Sequence, residues 1–399
     1  MTNKSRLLIC VPDFPFPARK NGVSIRYAPI LTDLSQYYDI HLICISSGTP
    51  IEADLALAQN LFRTIDIYTR KKTAIPLITK LWRRIAALNF LKPNTPFNYL
   101  CYDAEHIETF IRSKTSGTTY DSVICVLANY ASIVKKTVNA KNYALDFIDS
   151  PFATAQRSSL RNPLALWDLY IIKKWEKNLI QEYDKVSYVS PLDKTIGAGD
   201  LTHLAKVSLI PNGLYLEDLT DEKITYPTKT IGYLGNMSYP PNIQAAKRLF
   251  KIFSENAEKI PNTSLVIIGR DPTPEIQRLA ETPGVIVTGS VENIWQFING
   301  IDIFVFPMEI GSGQQNKILE AMGAGKIVIT TNLGNSGIGA TPLQEIIIAD
   351  NDSEIIDSIS KTLLDPRKYS CINQSAKAFI ESNYNWPEII ATFKKRMIG

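Results

Sequence analysis

A chain of 399 residues is longer than one hydrophobic core usually supports, so two domains of comparable size are expected. Apolar residues at 45% and charged residues at 21% describe an ordinary globule with a mild net charge of +4, and no run of eighteen or more apolar residues is present to span a bilayer. Five cysteines without paired spacing and three scattered histidines, His41, His106 and His203, argue against a disulfide framework or a metal centre and fit reduced core thiols in a cytosolic protein.

The opening run "RLLICVP" is too short for the apolar core of a signal peptide and reads as a buried strand. It is followed by strand-like runs "YDIHLICIS", "TIDIYTR", "DSVICVLA", "KNYALDFID", "KVSYVS" and "KVSLIPNG", with amphipathic helical segments such as 25–38 and 167–183 between them. Continuous apolar strands alternating with helices predict an α/β domain with a parallel sheet covered on both faces, over residues 1–213. A polar stretch, 214–228, reads as a linker. The same grammar then restarts with "TIGYLGN", "SLVIIGR", "GVIVTGSV", "IDIFVFP", "KIVITTN" and "EIIIAD", separated by helices beginning near Asn242, Pro274, Asn293, Asn316 and Ser353. Six strands and five crossovers predict a second Rossmann-like domain over 229–380, with a further helix, 381–399, left over. The expected architecture is two facing Rossmann-like domains with a cleft between them.

Between residues 70 and 92 the chain reads "RKKTAIPLITKLWRRIAALNFLK", basic throughout and without an acid. Lys80, Arg83 and Arg84 around Trp82 suit a helix lying in an anionic membrane surface, the alternative being a solvated basic face of an ordinary helix.

The stretch "PMEIGSGQQNKILEAMGAGKIVITT", 307–331, follows a strand and leads into a helix. Ligands in open α/β sheets bind at such strand carboxyl ends. Gly311 and Gly313 leave backbone amides uncovered, and the helix start adds a positive dipole end, so a phosphate is the expected anion. Glu320, one turn into the helix, is too deep to cap it. A carboxylate there is tolerated beside phosphate when it faces ribose hydroxyls. The alternative is a solvated helix acid beside glycines that only make a turn. Neither the Walker-A spacing nor the dinucleotide fingerprint is met, which disfavours an ATPase or an NAD enzyme.

"GSGQQNKILEAMGAGKIVITT" resembles the donor-binding signature of the retaining glycosyltransferases of family 4, which have the GT-B fold, and is especially similar to a bacterial subgroup of exopolysaccharide and surface-glycan assembly. "PFPARKNGVSIRYAPIL", "LIPNGLYLEDL", "IGYLGNMSYPPNIQAA" and "YNW" extend the resemblance over nearly the whole chain. The resemblance implies a nucleotide-sugar donor and a glycan or lipid-linked acceptor, no cofactor, no metal and no nucleic acid, at the inner face of the plasma membrane. Glu320 would bind the donor ribose, and Gly311, Ser312 and Gly313 would present amides to the diphosphate and sugar. Gly22 matches a glycine that approaches the donor phosphates from the first domain, and Val291 a loop that meets the base. Asp149 stands where the family places a group near the reacting sugar, with Asp146 as a partner for neighbouring residues; a helix-capping role for Asp149 is the alternative.

Two positions depart from the family pattern. Its further acid is replaced by Ser312, with Glu309 close by, and its Arg/Lys pair after the first strand of the second domain is missing from "GNMSYPPN", which offers Asn236 instead. Lys317 and Arg270 are therefore expected to supply the positive charge that a buried diphosphate requires. Two other readings stand beside glycosyl transfer: a nucleotide-sugar 2-epimerase of the same fold, and a catalytically degenerate nucleotide- or glycan-binding scaffold.

Overall fold

The structure is a computed structural model and describes residues 4–18, 21–70, 96, 103–158, 163–216, 222–311 and 313–399. Lys80, Trp82, Arg83, Arg84 and Ser312 lie outside the described residues. The chain divides into two units, one of residues 1–212 with 387–399 and the other of residues 213–386.

The first unit is built on a seven-stranded parallel sheet of β1 (Arg6–Val11), β2 (Asp39–Ser46), β3 (Thr64–Thr69), β4 (Thr119–Val126), β5 (Asn139–Ile148), β6 (Lys185–Tyr188) and β7 (Val207–Leu209). Their order is β3-β2-β1-β4-β5-β6-β7. The continuous apolar runs are the reason for this arrangement. Leu7 to Val11 and Ile40 to Ile45 are all buried, which only a strand covered on both faces permits. Cys10, Cys44 and Cys125 are buried free thiols on β1, β2 and β4, and burial pushes the Cys10 thiol up to about 12, so it is inert. Residues 387–399 belong to this unit: the Phe393 ring meets Tyr27 edge-on at 6.3 Å, and Lys394 bonds Asp33 at 2.9 Å.

The second unit carries a six-stranded parallel sheet of β8 (Lys229–Leu234), β9 (Thr263–Ile268), β10 (Val285–Val287), β11 (Ile303–Phe306), β12 (Ile327–Thr330) and β13 (Ile347–Ile348), ordered β10-β9-β8-β11-β12-β13. This is the doubly wound order of a Rossmann domain, whose switch point lies between β8 and β11. The polar segment after Asn212 is attached to this unit: the Leu214 amide donates to Tyr384, and the Ile224 amide to Gln296. Among the described residues no helix is long and apolar enough to cross a membrane.

Candidate active site

At the switch point of the second sheet, β11 ends in Phe306, and the hydroxyls of Thr330 and Thr331 donate to the carbonyls of Phe306 and Met308 at 2.8 Å each. These bonds fix the start of the loop that carries Gly311 and Gly313. Gly313 takes φ +66° and Gly311 φ +155°, backbone that favours glycine. Gly337 completes the fit, because a Cβ there would lie 2.1 Å from the Gly313 carbonyl oxygen. The loop turns into the helix Asn316–Gly323, whose N-cap residue, Gln315, makes no side-chain cap. Glu320 is half-buried on this helix.

Lys317 does not stand in solvent at the loop-to-helix junction. It is 8% exposed, and its Nζ donates to Asn242 Oδ1 at 2.6 Å and to the Tyr233 hydroxyl at 3.2 Å, over the rings of Tyr233 and Phe306. Among the described residues no carboxylate pairs with it. Burial alone lowers its pKa from 10.5 to about 7. Tyr233 is on β8 and Phe306 ends β11, so the ammonium sits at the switch point itself. Asn242 and Tyr233, which the sequence did not single out, are what hold it there.

The loop after β8 is tied to the same lysine. Asn236 Oδ1 accepts from the amide and hydroxyl of Ser238, forming an Asx turn, and its carbonyl accepts from Asn242 Nδ2 at 3.0 Å. Asn242 therefore spans the loop and the ammonium. Arg270, two residues past β9, is 39% exposed and lies 3.8 Å from Asp271, while its carbonyl accepts from the Met237 amide. Glu309 is bonded to Gln244 at 2.6 Å and lies 3.7 Å from Arg248. Val291 is half-buried, packed on the apolar core after β10.

One triplet with a metal-chelating spacing, Asp350-Asn351-Asp352, escaped the sequence reading. Its acids are engaged within the fold: Asp350 accepts from the Asn332 amide and side chain, and Asp352 accepts from Arg248 at 2.7 Å.

In the first unit, Gly22 opens the helix Gly22–Tyr37 after β1, behind an Asn21–Ser24 capping box. A Cβ on Gly22 would meet nothing within 4 Å, so the fold itself does not require glycine there. Asp146 is fully buried on β5: it accepts from Arg26 Nε and the Tyr27 hydroxyl at 2.7 Å and from Ser187 at 2.9 Å. Asp149 follows the end of β5 and is half-buried. A register shift against β6 between Asp146 and Ile148 breaks the simple alternation of faces between the two acids.

Residues 228–365, which contain the loop, Lys317 and Glu320, match the family described as "Glycosyl transferases group 1". An uncharacterized 44.6 kDa protein in the cps region of Klebsiella pneumoniae is 22% identical over 296 residues, 69% of this chain and 74% of that one. A lipopolysaccharide 1,2-N-acetylglucosaminetransferase of Salmonella typhimurium is 24% identical over 266 residues, 59% of this chain and 68% of that one. Among solved structures, sucrose-phosphate synthase from Thermosynechococcus elongatus superposes with a TM-score of 0.73 at 14% identity, covering 98% of both chains. Anabaena HepE in complex with UDP-glucose gives 0.66 at 12% identity, again over 98% of both. Residues 228–365 thus resemble the glycosyltransferase group 1 family, in a chain whose two Rossmann-like parallel sheets share the fold of these solved structures.

Proposed function

We propose that the protein is a retaining, metal-independent glycosyltransferase of family 4 that moves a sugar from a nucleotide-sugar donor to a glycan or lipid-linked acceptor in bacterial surface polysaccharide assembly. The observation that carries this reading is Lys317: a buried ammonium at the switch point of the second sheet, with neutral partners only among the described residues, beside a glycine loop and a helix start. A buried cation without a counter-charge is unfavourable, and a diphosphate seated on the loop would supply the missing charge. In this reading Gly311, Ser312 and Gly313 offer amides to the diphosphate, Glu320 accepts from the ribose hydroxyls, Val291 borders the base, and Arg270 and Asn236 flank the phosphates. The open space above Gly22 is what close approach of a phosphate requires.

The chemistry needs no protein nucleophile. As the bond from the anomeric carbon to the diphosphate oxygen breaks, the acceptor hydroxyl oxygen bonds that carbon on the same face, and its proton passes to the departing phosphate oxygen. Lys317 and the helix start stabilise the charge that develops on the leaving group, and Asp149 is the first-unit residue that this reading assigns to the reacting sugar. The basic segment around Lys80, Trp82, Arg83 and Arg84 would bring the enzyme to an anionic membrane carrying its acceptor.

The test is thermal unfolding with UDP, GDP and their sugars: a ligand bound by the folded state alone raises the midpoint. At least one nucleoside diphosphate should do so in the wild type and less in Glu320→Ala. No response to any of them would remove the donor site from the glycine loop and Lys317.

A further inference from the structure

Glu176, on the helix Pro163–Glu182, is fully buried, and among the described residues it forms no ion pair. Its carboxylate is instead the common acceptor of three neutral donors. Oε1 accepts from the Tyr188 hydroxyl at 2.8 Å. Oε2 accepts from the Ser150 hydroxyl at 3.0 Å and from the Phe152 amide at 2.9 Å. Ser150 Oγ in turn accepts from the Ala153 amide at 3.0 Å, so the first turn of the helix Pro151–Ser158 is bonded to Glu176 both directly and through Ser150. The helix Pro191–Ala198 closes over the group through Gly197, where a Cβ would lie 2.3 Å from Glu176 Oε1 and 2.7 Å from Ser150 Oγ.

These contacts hold Ser150 and Phe152, the first and third residues after Asp149. The residue before it is held as firmly. Ile148 is β-branched yet takes φ +60°, its amide donates to Asp146 Oδ1 at 3.3 Å, and its carbonyl accepts from the Val189 amide at 3.0 Å. Such a conformation persists only where the surroundings dictate it. Asp149 is therefore carried on backbone fixed on one side by Asp146 and on the other by Glu176.

We propose that Glu176 is the positioning residue of the Asp149 loop, and that its carboxylate couples the order of that loop to pH. The proposal deepens the glycosyl-transfer reading, on which the role of Asp149 rests. The groups facing Glu176 are Tyr188 from β6, Ser150 and Phe152 from the loop and following helix, and Asp193 from the helix Pro191–Ala198, itself bonded to the N-cap Ser190. Arg157 pairs with Asp193 at 3.2 Å, and the Lys173 ammonium lies 5.4 Å from the Phe152 ring. Burial first, and Asp193 after it, raise the Glu176 carboxyl against the pull of its three donors, to about 7. Because the closed, buried state holds the carboxyl's proton to higher pH than solvent does, ionisation sets an unpaired buried charge beneath the loop, and the loop loosens as pH rises from 4.5 towards 7.

The experiment is amide hydrogen exchange on the full chain between about pH 5 and 8.5, normalised to the intrinsic exchange rate at each pH, followed in peptides spanning 148–156. In the wild type, protection of this segment should fall about tenfold as the carboxylate forms and level off above an inflection near pH 7. Glu176→Gln keeps an oxygen acceptor but cannot ionise, so it should fold normally and show flat protection. Glu176→Ala should lose protection of 148–156 at every pH while peptides from the second sheet stay protected. A wild-type inflection persisting in Glu176→Gln, or unaltered protection in Glu176→Ala, overturns the proposal. UDP-induced thermal shifts on the same samples separate the two levels: no shift in any of them sinks the donor-site reading and leaves the loop anchor standing on the exchange data.

Discussion

Lys317→Met tests the central electrostatic argument, because it keeps a flexible stem of similar volume and removes only the charge. Displacement of the lysine pKa from 10.5 to about 7 corresponds to about 5 kcal/mol of penalty against the charged form at low pH, an upper limit on what the substitution returns. Part of that gain is offset by Asn242 Oδ1, which loses its donor, although the Tyr233 hydroxyl at 3.4 Å is placed to replace it. A net stabilisation of about 1–3 kcal/mol is expected at pH 6. The sign with pH follows from proton counting. Between pH 7 and 10.5 the native state holds fewer protons at this site than the unfolded chain, so wild-type stability rises through that window and the advantage of the variant shrinks. Affinity moves the other way. Without the cation, UDP should bind about 10–100-fold more weakly, the factor that 1.4–2.8 kcal/mol represents. Urea unfolding at pH 6, 7.5 and 9, with UDP titrations by calorimetry, measures both. Unchanged UDP affinity would take Lys317 away from the diphosphate, and a variant less stable than wild type at pH 6 would refute the burial argument.

Arg26→Met should destabilise the first unit by about 3–5 kcal/mol, because it leaves Asp146 buried without its cation, and adding Asp146→Asn should restore part of the loss in denaturant melts. His41 lies between the Tyr120 hydroxyl and Asp66; burial, outweighing the opposing pull of Asp66, lowers its pKa below 6.5. Its contribution to stability is therefore lost as pH falls below 6.5, and the acid slope of urea unfolding should flatten in His41→Gln. Reversal of Lys80, Arg83 and Arg84 to glutamate should abolish co-sedimentation with anionic phospholipid vesicles, whereas undiminished binding would exclude this segment as the contact.

The strands were legible because parallel strands buried on both faces are written as uninterrupted apolar runs; "IDIFVFP" becomes β11 and "SLVIIGR" becomes β9 with little left over. The glycine loop was legible for the same local reason, since strand, glycines and helix lie within 25 residues. The environment of Lys317 was not, because the side chains that enclose it, Asn242 and Tyr233, are 75 and 84 residues away in sequence. A lysine at a helix start reads as a solvent-facing cation until those partners are known. Asp146 and Arg26 are 120 residues apart, and a β-branched Ile148 in left-handed backbone contradicts local preference, so neither the buried pair nor the bulge that separates Asp146 from Asp149 could be foreseen.

That residues 387–399 pack into the first unit has a consequence for how the protein is made. The segment carrying Phe393 and Lys394 leaves the ribosome only after the whole second unit, so the amino-terminal sheet is synthesised early and completed last. During translation the surface around Tyr27 and Asp33 stays uncovered while some 170 intervening residues fold. The nascent chain thus passes through an interval in which that face is open, until residues 387–399 emerge and dock on it.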